Sequence, residues 1–258
     1  MENVKVNIEN EIAYVTIDRP KALNALNTDT LKELNQTFDD IRKRKDVKVL
    51  ILTGGGEKSF VAGADISEMV DSNSQQARNM SLLAYETFNM LEQMPQVTIA
   101  AVNGFALGGG CEISMACDIR VASDNAVFGQ PEVGLGIIPG FGGTQRLPRL
   151  VGKGIAKELI FTTNNIKADE AYRIGLVNHV VKKDELIDYC TKMAETIKSK
   201  ASYAVTLAKQ VINLGLDSDL DTGVQLEANT FASCFDTYDK KEGMTAFLEK
   251  RKADLKDF

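Results

Sequence analysis

Two glutamates lie in apolar surroundings, where a carboxyl group exchanges protons nearer to neutral pH than it does in water. Glu112 directly follows a glycine-rich turn and belongs to an otherwise apolar predicted helix over 111–117. Glu132 lies in the segment 128–136, which is also apolar and loop-like. Burial raises the pKa of a carboxyl group, and two such groups at one site could act as acid and base. Each also has a structural interpretation, as a helix-dipole partner for Glu112 and a turn cap for Glu132.

The glycine-rich segment 104–110 follows a predicted strand and leads into the helix that carries Glu112. Glycine lets the backbone approach a ligand closely, and the first N–H groups of a helix are unpaired and partly positive. Aimed at a carbonyl, such groups would stabilise an oxygen that gains negative charge; the alternative is a tight turn with close helix–strand packing. No GxxxxGK[ST] phosphate loop is present, and a GxGxxG fingerprint counted from Gly108 fails at Ile113. Nucleotide hydrolysis and dinucleotide-dependent redox chemistry are therefore disfavoured.

Other catalytic groups are scarce. The chain has a single histidine, His179, within the strand-like run 176–181, and this residue is interpreted as a partly exposed strand position. A Ser-His or Cys-His centre, or a histidine-ligated metal, would have to use it. The four cysteines form no CxxC pair and are predicted to be buried thiols. Acid–base chemistry is therefore assigned to carboxylates, and no metal site is predicted.

The composition is that of an ordinary globular protein, with 44% hydrophobic and 26% charged residues. A net charge of -6 argues against a nucleic-acid partner and requires that cations be gathered locally if an anion binds. The one basic run, 42–45, is interpreted as a helix-end cluster that complements the dipole; an RNA-binding stripe is the alternative. With no signal peptide, presequence or long apolar segment, we expect a cytoplasmic protein without a membrane partner.

Strands and helices alternate over most of the chain. Strands are predicted over 4–8, 12–17, 47–52, 97–102, 119–122 and 126–128, and helices from residue 28, over 74–94 and over 111–117. Asn10 and Glu11 are expected in a hairpin turn, Asp65 as a helix cap, and the polar segment 71–76 as a mobile loop. After residue 183 only helical patterns follow. This order predicts an α/β core of mainly parallel strands with a helical C-terminal part.

Several segments together closely resemble the crotonase superfamily, and specifically its enoyl-CoA hydratase branch. They follow the family's order along nearly the whole chain and cover 18–26, 59–66, 101–112, 128–132, 138–147 and 243–251. The resemblance implies an α/β, ClpP/crotonase-like spiral of ββα units over 1–195 and a C-terminal helical trimerisation region over 196–258. It also implies a homo-oligomer, usually a hexamer made of two trimers.

The same resemblance implies the site residues. Glu112 and Glu132 match the catalytic pair, and the backbone amides of Ala64 and Gly109 match the oxyanion hole. Substrate or CoA contacts are implied for Lys21, Ala22, Ala62, Gly63, Ala64, Asp65, Ile66, Phe141, Phe247 and Lys250. Among these, Phe141 would line the acyl pocket, and Phe247 and Lys250 would reach a CoA site that often belongs to a neighbouring subunit.

The implied reaction is the reversible syn hydration of a short-chain trans-2-enoyl-CoA, such as crotonyl-CoA, to a 3-hydroxyacyl-CoA. It would serve fatty-acid oxidation or butyrate-type metabolism, with CoA as part of the substrate and no separate cofactor. A Δ3-Δ2 enoyl-CoA isomerase is the nearest alternative, but isomerase branches generally lack one of the two glutamates. A non-catalytic CoA-binding scaffold would be expected to have lost Glu112 or Glu132. The presence of both favours a hydro-lyase.

Overall fold

The computed structural model of the chain describes residues 1–256. The strands of this part are β1 (Val4–Glu9), β2 (Ile12–Ile17), β3 (Val49–Gly54), β4 (Ser59–Ala62), β5 (Val97–Val102), β6 (Phe105–Leu107), β7 (Ile119–Ser123), β8 (Val127–Gly129), β9 (Ile166–Lys167) and β10 (His179–Val181). Its helices are α1 (Thr28–Arg42), α2 (Ile66–Met69), α3 (Ser74–Gln93), α4 (Gly109–Met115), α5 (Gly143–Val151), α6 (Lys153–Thr162), α7 (Ala168–Arg173), α8 (Leu186–Lys198), α9 (Ser202–Leu216), α10 (Leu220–Ser233) and α11 (Tyr238–Glu249). Two short 3-10 helices, Pro20–Ala22 and Glu132–Leu135, lie in segments that the sequence assigns to the site.

The strands form two sheets, and the chain passes back and forth between them. The first sheet has the order β1-β2-β3-β5-β7-β10 and the second the order β4-β6-β8-β9. From β3 to β8, consecutive strands alternate between the sheets, so each turn of the chain adds one strand to each. Among the strands within residues 1–256, only β1 with β2 and β8 with β9 pair antiparallel. This confirms the predicted spiral of mainly parallel strands.

The central strands of the first sheet, such as β3 and β5, are buried on both faces. Along β3, Leu50 and Leu52 join the larger core with α1 and α3, whereas Val49 and Ile51 face α8 on the other side. Side chains of a strand alternate between its faces, so a continuous apolar run covers both. Each fully buried side chain of this kind contributes about 1.5–3 kcal/mol. The sheet is therefore a rigid support for the short strands of the second sheet.

The C-terminal helices leave large apolar side chains exposed. Leu216, Leu220, Phe231, Phe247 and Leu248 each expose between 64% and 82% of their surface. Such a surface is typical of one that another protein covers. The predicted boundary after residue 195 falls within α8, and the division into two domains stays a prediction; Asp257 and Phe258 lie outside the described residues.

A buried ion pair attaches α9 to the core. The Lys209 ammonium lies 2.8 Å from the carboxylate of Asp118 and donates to the carbonyl of Gln96 at 2.9 Å. Only 7% of the Lys209 side chain is exposed. Because breaking one partner of a buried pair leaves an uncompensated charge, this contact fixes the start of the C-terminal helices against β5.

Two local predictions need correction or refinement. The polar segment 71–76 is a loop only up to Asn73, whose side chain accepts hydrogen bonds from the first turn of α3 in a reciprocal capping box with Gln76. Asp65 occupies the N-cap position of α2, but its side chain pairs with Arg19 at 3.1 Å instead of capping that helix. In the basic run 42–45, Arg42 ends α1, as predicted for a helix-end cluster, and it pairs with Asp39 on the same helix. None of the helices within residues 1–256 is both long and apolar enough to cross a membrane.

Candidate active site

The carboxyl ends of β4 and β6 bring Ala64 and Gly109 side by side. These strands pair in parallel with Ala62 opposite Leu107, so the residues that follow leave the sheet together. Next come Gly63 and Gly108, with φ angles of +98° and +48°. A left-handed backbone of this kind favours glycine. It turns both segments of the chain away from the sheet at the same distance beyond the paired strand ends. The residues after these glycines, Ala64 and Gly109, therefore start from adjacent positions.

The amides of Ala64 and Gly109 are left available by the local hydrogen bonds. The segment around Ala64 is held by Leu26, whose N–H donates to Gly63 at 2.8 Å and whose carbonyl accepts from Asp65 at 2.9 Å. This bridge does not use the N–H of Ala64. Gly109 is the first residue of α4, and a first-turn N–H has no partner within its own helix. Two adjacent free donors form the arrangement that stabilises a developing oxyanion.

Glu112 is buried one helical turn behind Gly109. Its side chain is 1% exposed, and one carboxylate oxygen accepts from the amides of Phe141 and Gly143 at 2.8 and 2.7 Å. Burial raises the pKa of Glu112 to about 7, and the nearby charge of Glu132 also raises it, while the two amides act in the opposite direction. This carboxyl group can therefore take or give a proton near neutral pH.

Glu132 begins the 3-10 helix after β8 and lies against Gly108. A Cβ on Gly108 would come within 2.4 Å of the Glu132 Oε1 atom. Burial raises the pKa of Glu132 above its ordinary value. In the orientation that satisfies both ends of its amide, the buried Gln130 donates to both oxygens of Glu132, at 3.2 and 3.1 Å. Gln130 was not singled out from the sequence, because its side chain acquires a role only where β8 meets α4.

The structure therefore brings together all four residues that the sequence assigns to the chemistry. Gly108 touches Glu132, Gly109 offers an amide, and Glu112 lies three residues further along the same helix. The two amides can polarise a carbonyl group. The two protonatable carboxyl groups can exchange protons with a water molecule and with the substrate. That combination suits addition of water to a double bond conjugated with the carbonyl.

Phe141 is predicted to line the acyl pocket, and the structure gives its ring and its backbone further contacts. Its ring packs edge-on against Phe88 with centroids 6.1 Å apart, and a Cβ on Gly109 would lie 3.1 Å from the ring. Its backbone N–H is one of the two donors to Glu112. Phe141 therefore links the apolar core to the position of the carboxylate.

A cleft of about 390 Å³ opens next to the 3-10 helix Pro20–Ala22. It is lined by Pro20, Lys21, Leu23, Asn24, Gly55, Glu57, Lys58 and Ser59. Glu57 is paired with Lys183, whereas within residues 1–256 Lys21 and Lys58 have no acidic partner. Two unneutralised cations in one cleft are suited to a phosphate group. Lys58 was missed in the sequence, where it is one of many solvent-facing lysines.

The remaining predicted contact residues divide into two groups. Ala62 ends β4 and Ile66 begins α2, so the segment 62–66 connects this strand and this helix through Ala64, and Asp65 braces it through Arg19. Phe247 and Lys250 lie at the end of α11, where Phe247 is 81% exposed. Lys250 adopts a left-handed conformation, with φ at +56°. Phe247 belongs to the exposed apolar surface of the C-terminal helices, and the exposed Lys250 follows it at the end of the same helix.

Comparison with known proteins places these features in a family. The sequence pattern of the family described as "Enoyl-CoA hydratase/isomerase" matches residues 7–257. The chain is 59% identical to a short-chain-enoyl-CoA hydratase of Clostridium acetobutylicum, covering 98% of this chain and 97% of that one. It is 54% identical to a crotonyl-CoA hydratase of Syntrophomonas wolfei, covering 98% of each. Its fold matches the crystal structure of an enoyl-CoA hydratase from Bacillus anthracis with a TM-score of 0.96 at 43% identity, covering 99% of this chain and 100% of that one.

Proposed function

The chain belongs to the enoyl-CoA hydratase/isomerase family, and we propose that it is a hydro-lyase for short-chain trans-2-enoyl-CoA thioesters such as crotonyl-CoA. The relatives named as short-chain and crotonyl-CoA hydratases are similar over nearly their whole length. The observation that carries the proposal is the placement of Glu112 and Glu132 beside the adjacent amides of Ala64 and Gly109. Two carboxyl groups beside two amide donors fit the hydration of an α,β-unsaturated thioester.

In the proposed mechanism the thioester oxygen accepts hydrogen bonds from the amides of Ala64 and Gly109. Negative charge grows on this oxygen as water adds, because the double bond becomes an enolate-like unit. Donors fixed in advance stabilise such charge, and one donor of this type is typically worth about 2.7–4 kcal/mol. The N-terminus of α4, where Gly109 lies, adds a favourable dipole.

The two glutamates carry out the two proton transfers of the reaction, one from water and one to the new C–H bond. Glu112 removes a proton from water while the oxygen bonds to Cβ, and Glu132 delivers a proton to Cα. The π bond is consumed and no electrons leave the substrate, so no redox cofactor is required. Transfer of the proton from Glu112 to Glu132 restores the starting state, and dehydration follows the reverse course. Each acid–base group contributes roughly 10²–10⁴ in rate.

For the CoA portion, we propose that the cleft with Lys21 and Lys58 holds a phosphate and that the segment 62–66 holds the pantetheine arm. Phe247 and Lys250 would contact the CoA of a neighbouring copy. The exposed apolar side chains of the C-terminal helices support assembly into trimers, and two trimers would form the hexamer expected of the family. A cytoplasmic location stays a prediction.

One assay separates hydratase from isomerase and from a non-catalytic scaffold. The ultraviolet absorbance of the conjugated thioester is followed with purified protein, without added cofactor, on crotonyl-CoA and on a 3-enoyl-CoA. Rapid loss of the crotonyl-CoA absorbance with formation of 3-hydroxybutyryl-CoA supports the proposal. A gain of absorbance from the 3-enoyl-CoA alone would identify an isomerase, and CoA binding without turnover of either substrate would identify a scaffold.

A further inference from the structure

Glu112 depends on a short loop for both of its hydrogen-bond donors. The loop 140–143 leads into α5, whose first residue is Gly143, and supplies the amides of Phe141 and Gly143 to a single carboxylate oxygen. The hydroxyl of Ser81 on α3 donates to the carbonyl of Gly140 at 2.6 Å, which fixes one end of the loop. The position of Glu112 is therefore only as well defined as this loop.

Arg146 fixes the other end. Its Nη1 atom donates to the carbonyl of Phe141 at 3.3 Å, and its Nε and Nη2 atoms donate to one oxygen of Glu92 on α3, at 3.2 and 2.7 Å. The Arg146 side chain is only 12% exposed. The guanidinium thus ties α3 to the same residue whose amide holds Glu112.

The chain makes room for this contact at Gly142. A Cβ there would lie 2.3 Å from the Nη1 atom of Arg146, and the φ of +108° also favours glycine. The guanidinium consequently lies directly over the backbone of the loop. A planar group with fixed donors is suited to this position, because it can bond a carbonyl and a carboxylate at once.

We propose that Arg146, held by Glu92, is a positioning residue that fixes the loop 140–143 and through it the carboxylate of Glu112. Arg146 touches no reacting atom in this scheme. Its consequence for turnover rests on the proposed hydratase function, whereas its effect on Glu112 itself does not.

The charges around Glu112 set the direction of the expected effect. Among the described residues, the charged side chains with the largest effect on it are Glu132 from the 3-10 helix and Arg146 from α5. Glu132 raises the pKa of Glu112, whereas Arg146 and the two loop amides lower it. Loss of Arg146 removes a cation and loosens the amides, so both changes move the pKa of Glu112 upward. A purely structural brace elsewhere would not do this.

The test compares Arg146→Met, Arg146→Lys and Glu92→Gln with Arg149→Met as a matched control. Arg149 lies on the same helix, is exposed, and reaches its acidic partner Asp217 only at 3.7 Å. In Arg146→Met we expect kcat on crotonyl-CoA to fall by about 10²-fold with little change in KM, as for a small misplacement of a reacting group. The acid limb of its pH profile moves to higher pH. Arg146→Lys and Glu92→Gln show smaller changes in the same direction, and Arg149→Met shows none.

A second measurement does not require activity. Isotope-edited infrared titration of the glutamate carboxyl groups, with Glu112 identified by the band lost in Glu112→Gln, reports its midpoint directly. A raised midpoint in the Arg146 variants supports the positioning role even if the wild type hydrates no enoyl-CoA, which would defeat only the proposed function. If Arg146→Met does not fold, Arg146→Lys and Glu92→Gln decide. Wild-type kcat and an unmoved Glu112 midpoint in these variants would overturn the inference.

Discussion

The carboxylate of Glu132 lies so close to Gly108 that a Cβ on residue 108 would be 2.4 Å from its Oε1 atom. Gly108 also has a φ of +48°, so it meets two conditions that only glycine satisfies easily. The glycine before the oxyanion amide thus also sets the position of an acid–base group. The two halves of the proposed machinery are joined at this residue.

Replacement Gly108→Ala should therefore displace Glu132 and disturb the amide of Gly109 together. We expect kcat on crotonyl-CoA to fall by at least about 10²-fold, since one oxyanion donor alone accounts for that much. Gly154→Ala is the control, because a Cβ there meets nothing within 4 Å and the residue lies in α6. That variant should keep full activity and gain up to about 1 kcal/mol of stability. Equal activity of the two variants would contradict the assignment.

The burial of Glu112 predicts a cost in stability at high pH. Its pKa is about 7 in the folded protein against an ordinary value of 4.5, so the folded state favours the protonated form. The corresponding stability is present below pH 4.5 and is lost as pH rises through 7. Glu112→Gln keeps the acceptor for both loop amides without this loss. At pH 8.5 we expect it to be more stable than wild type by on the order of 3 kcal/mol.

Thermal unfolding of both proteins between pH 4 and 9 measures that difference. The curves should converge at the acid end and separate through neutrality. Glu195→Gln, a change at an exposed position on α8, serves as the control and should show no such divergence. A Glu112→Gln variant that is uniformly less stable than wild type would show that ionisation of the buried Glu112 does not destabilise the folded protein.

Much of this site could be predicted because its residues are adjacent in sequence to strong local patterns. Glu112 stands out as a carboxylate in an apolar helix after a glycine turn, and the long strands β2 and β5 have clear apolar runs. The short strands β4 and β6 were not predicted. Each has only three or four residues beside glycines, so their pairing, which aligns Ala64 with Gly109, exists only in the folded sheet.

The supporting contacts could not be predicted for a related reason. Arg146 and Glu92 are 54 residues apart, and both look like ordinary helix-surface charges in the sequence. Gln130 is a polar residue in a loop until the fold buries it between two carboxyl-bearing segments. In each case the signal is a tertiary contact, which local propensity and spacing do not contain.

We predict that the charge of Lys250 contributes to substrate binding, whereas its backbone conformation destabilises the end of α11. It ends α11 in a left-handed conformation, where glycine is preferred by roughly 1 kcal/mol. Lys250→Gly should therefore raise the melting temperature slightly while it raises the KM for crotonyl-CoA. Lys241→Gln, at an exposed position on the same helix, should change neither. An unchanged KM in Lys250→Gly would remove this residue from the CoA site.

Replacement of Lys58 tests whether the cleft binds a phosphate of CoA without a change in the fold. Lys58→Met should raise the KM for crotonyl-CoA about tenfold, which corresponds to loss of one hydrogen bond to a charged group. Crotonyl-pantetheine lacks the nucleotide, so its kcat/KM should not change. Lys45→Met, at an exposed position beyond α1, is the control. Equal losses with both substrates would place Lys58 outside a phosphate site.

The most direct test of the central claim is hydration of crotonyl-CoA by Glu132→Gln beside the wild type, followed by the absorbance of the conjugated thioester. Glutamine preserves the size of the side chain but supplies no transferable carboxyl proton to Cα. We predict rapid loss of absorbance with wild type and a rate lower by roughly 10²–10⁴ in the variant, with unchanged folding. Full hydration activity in Glu132→Gln would contradict the two-carboxylate mechanism.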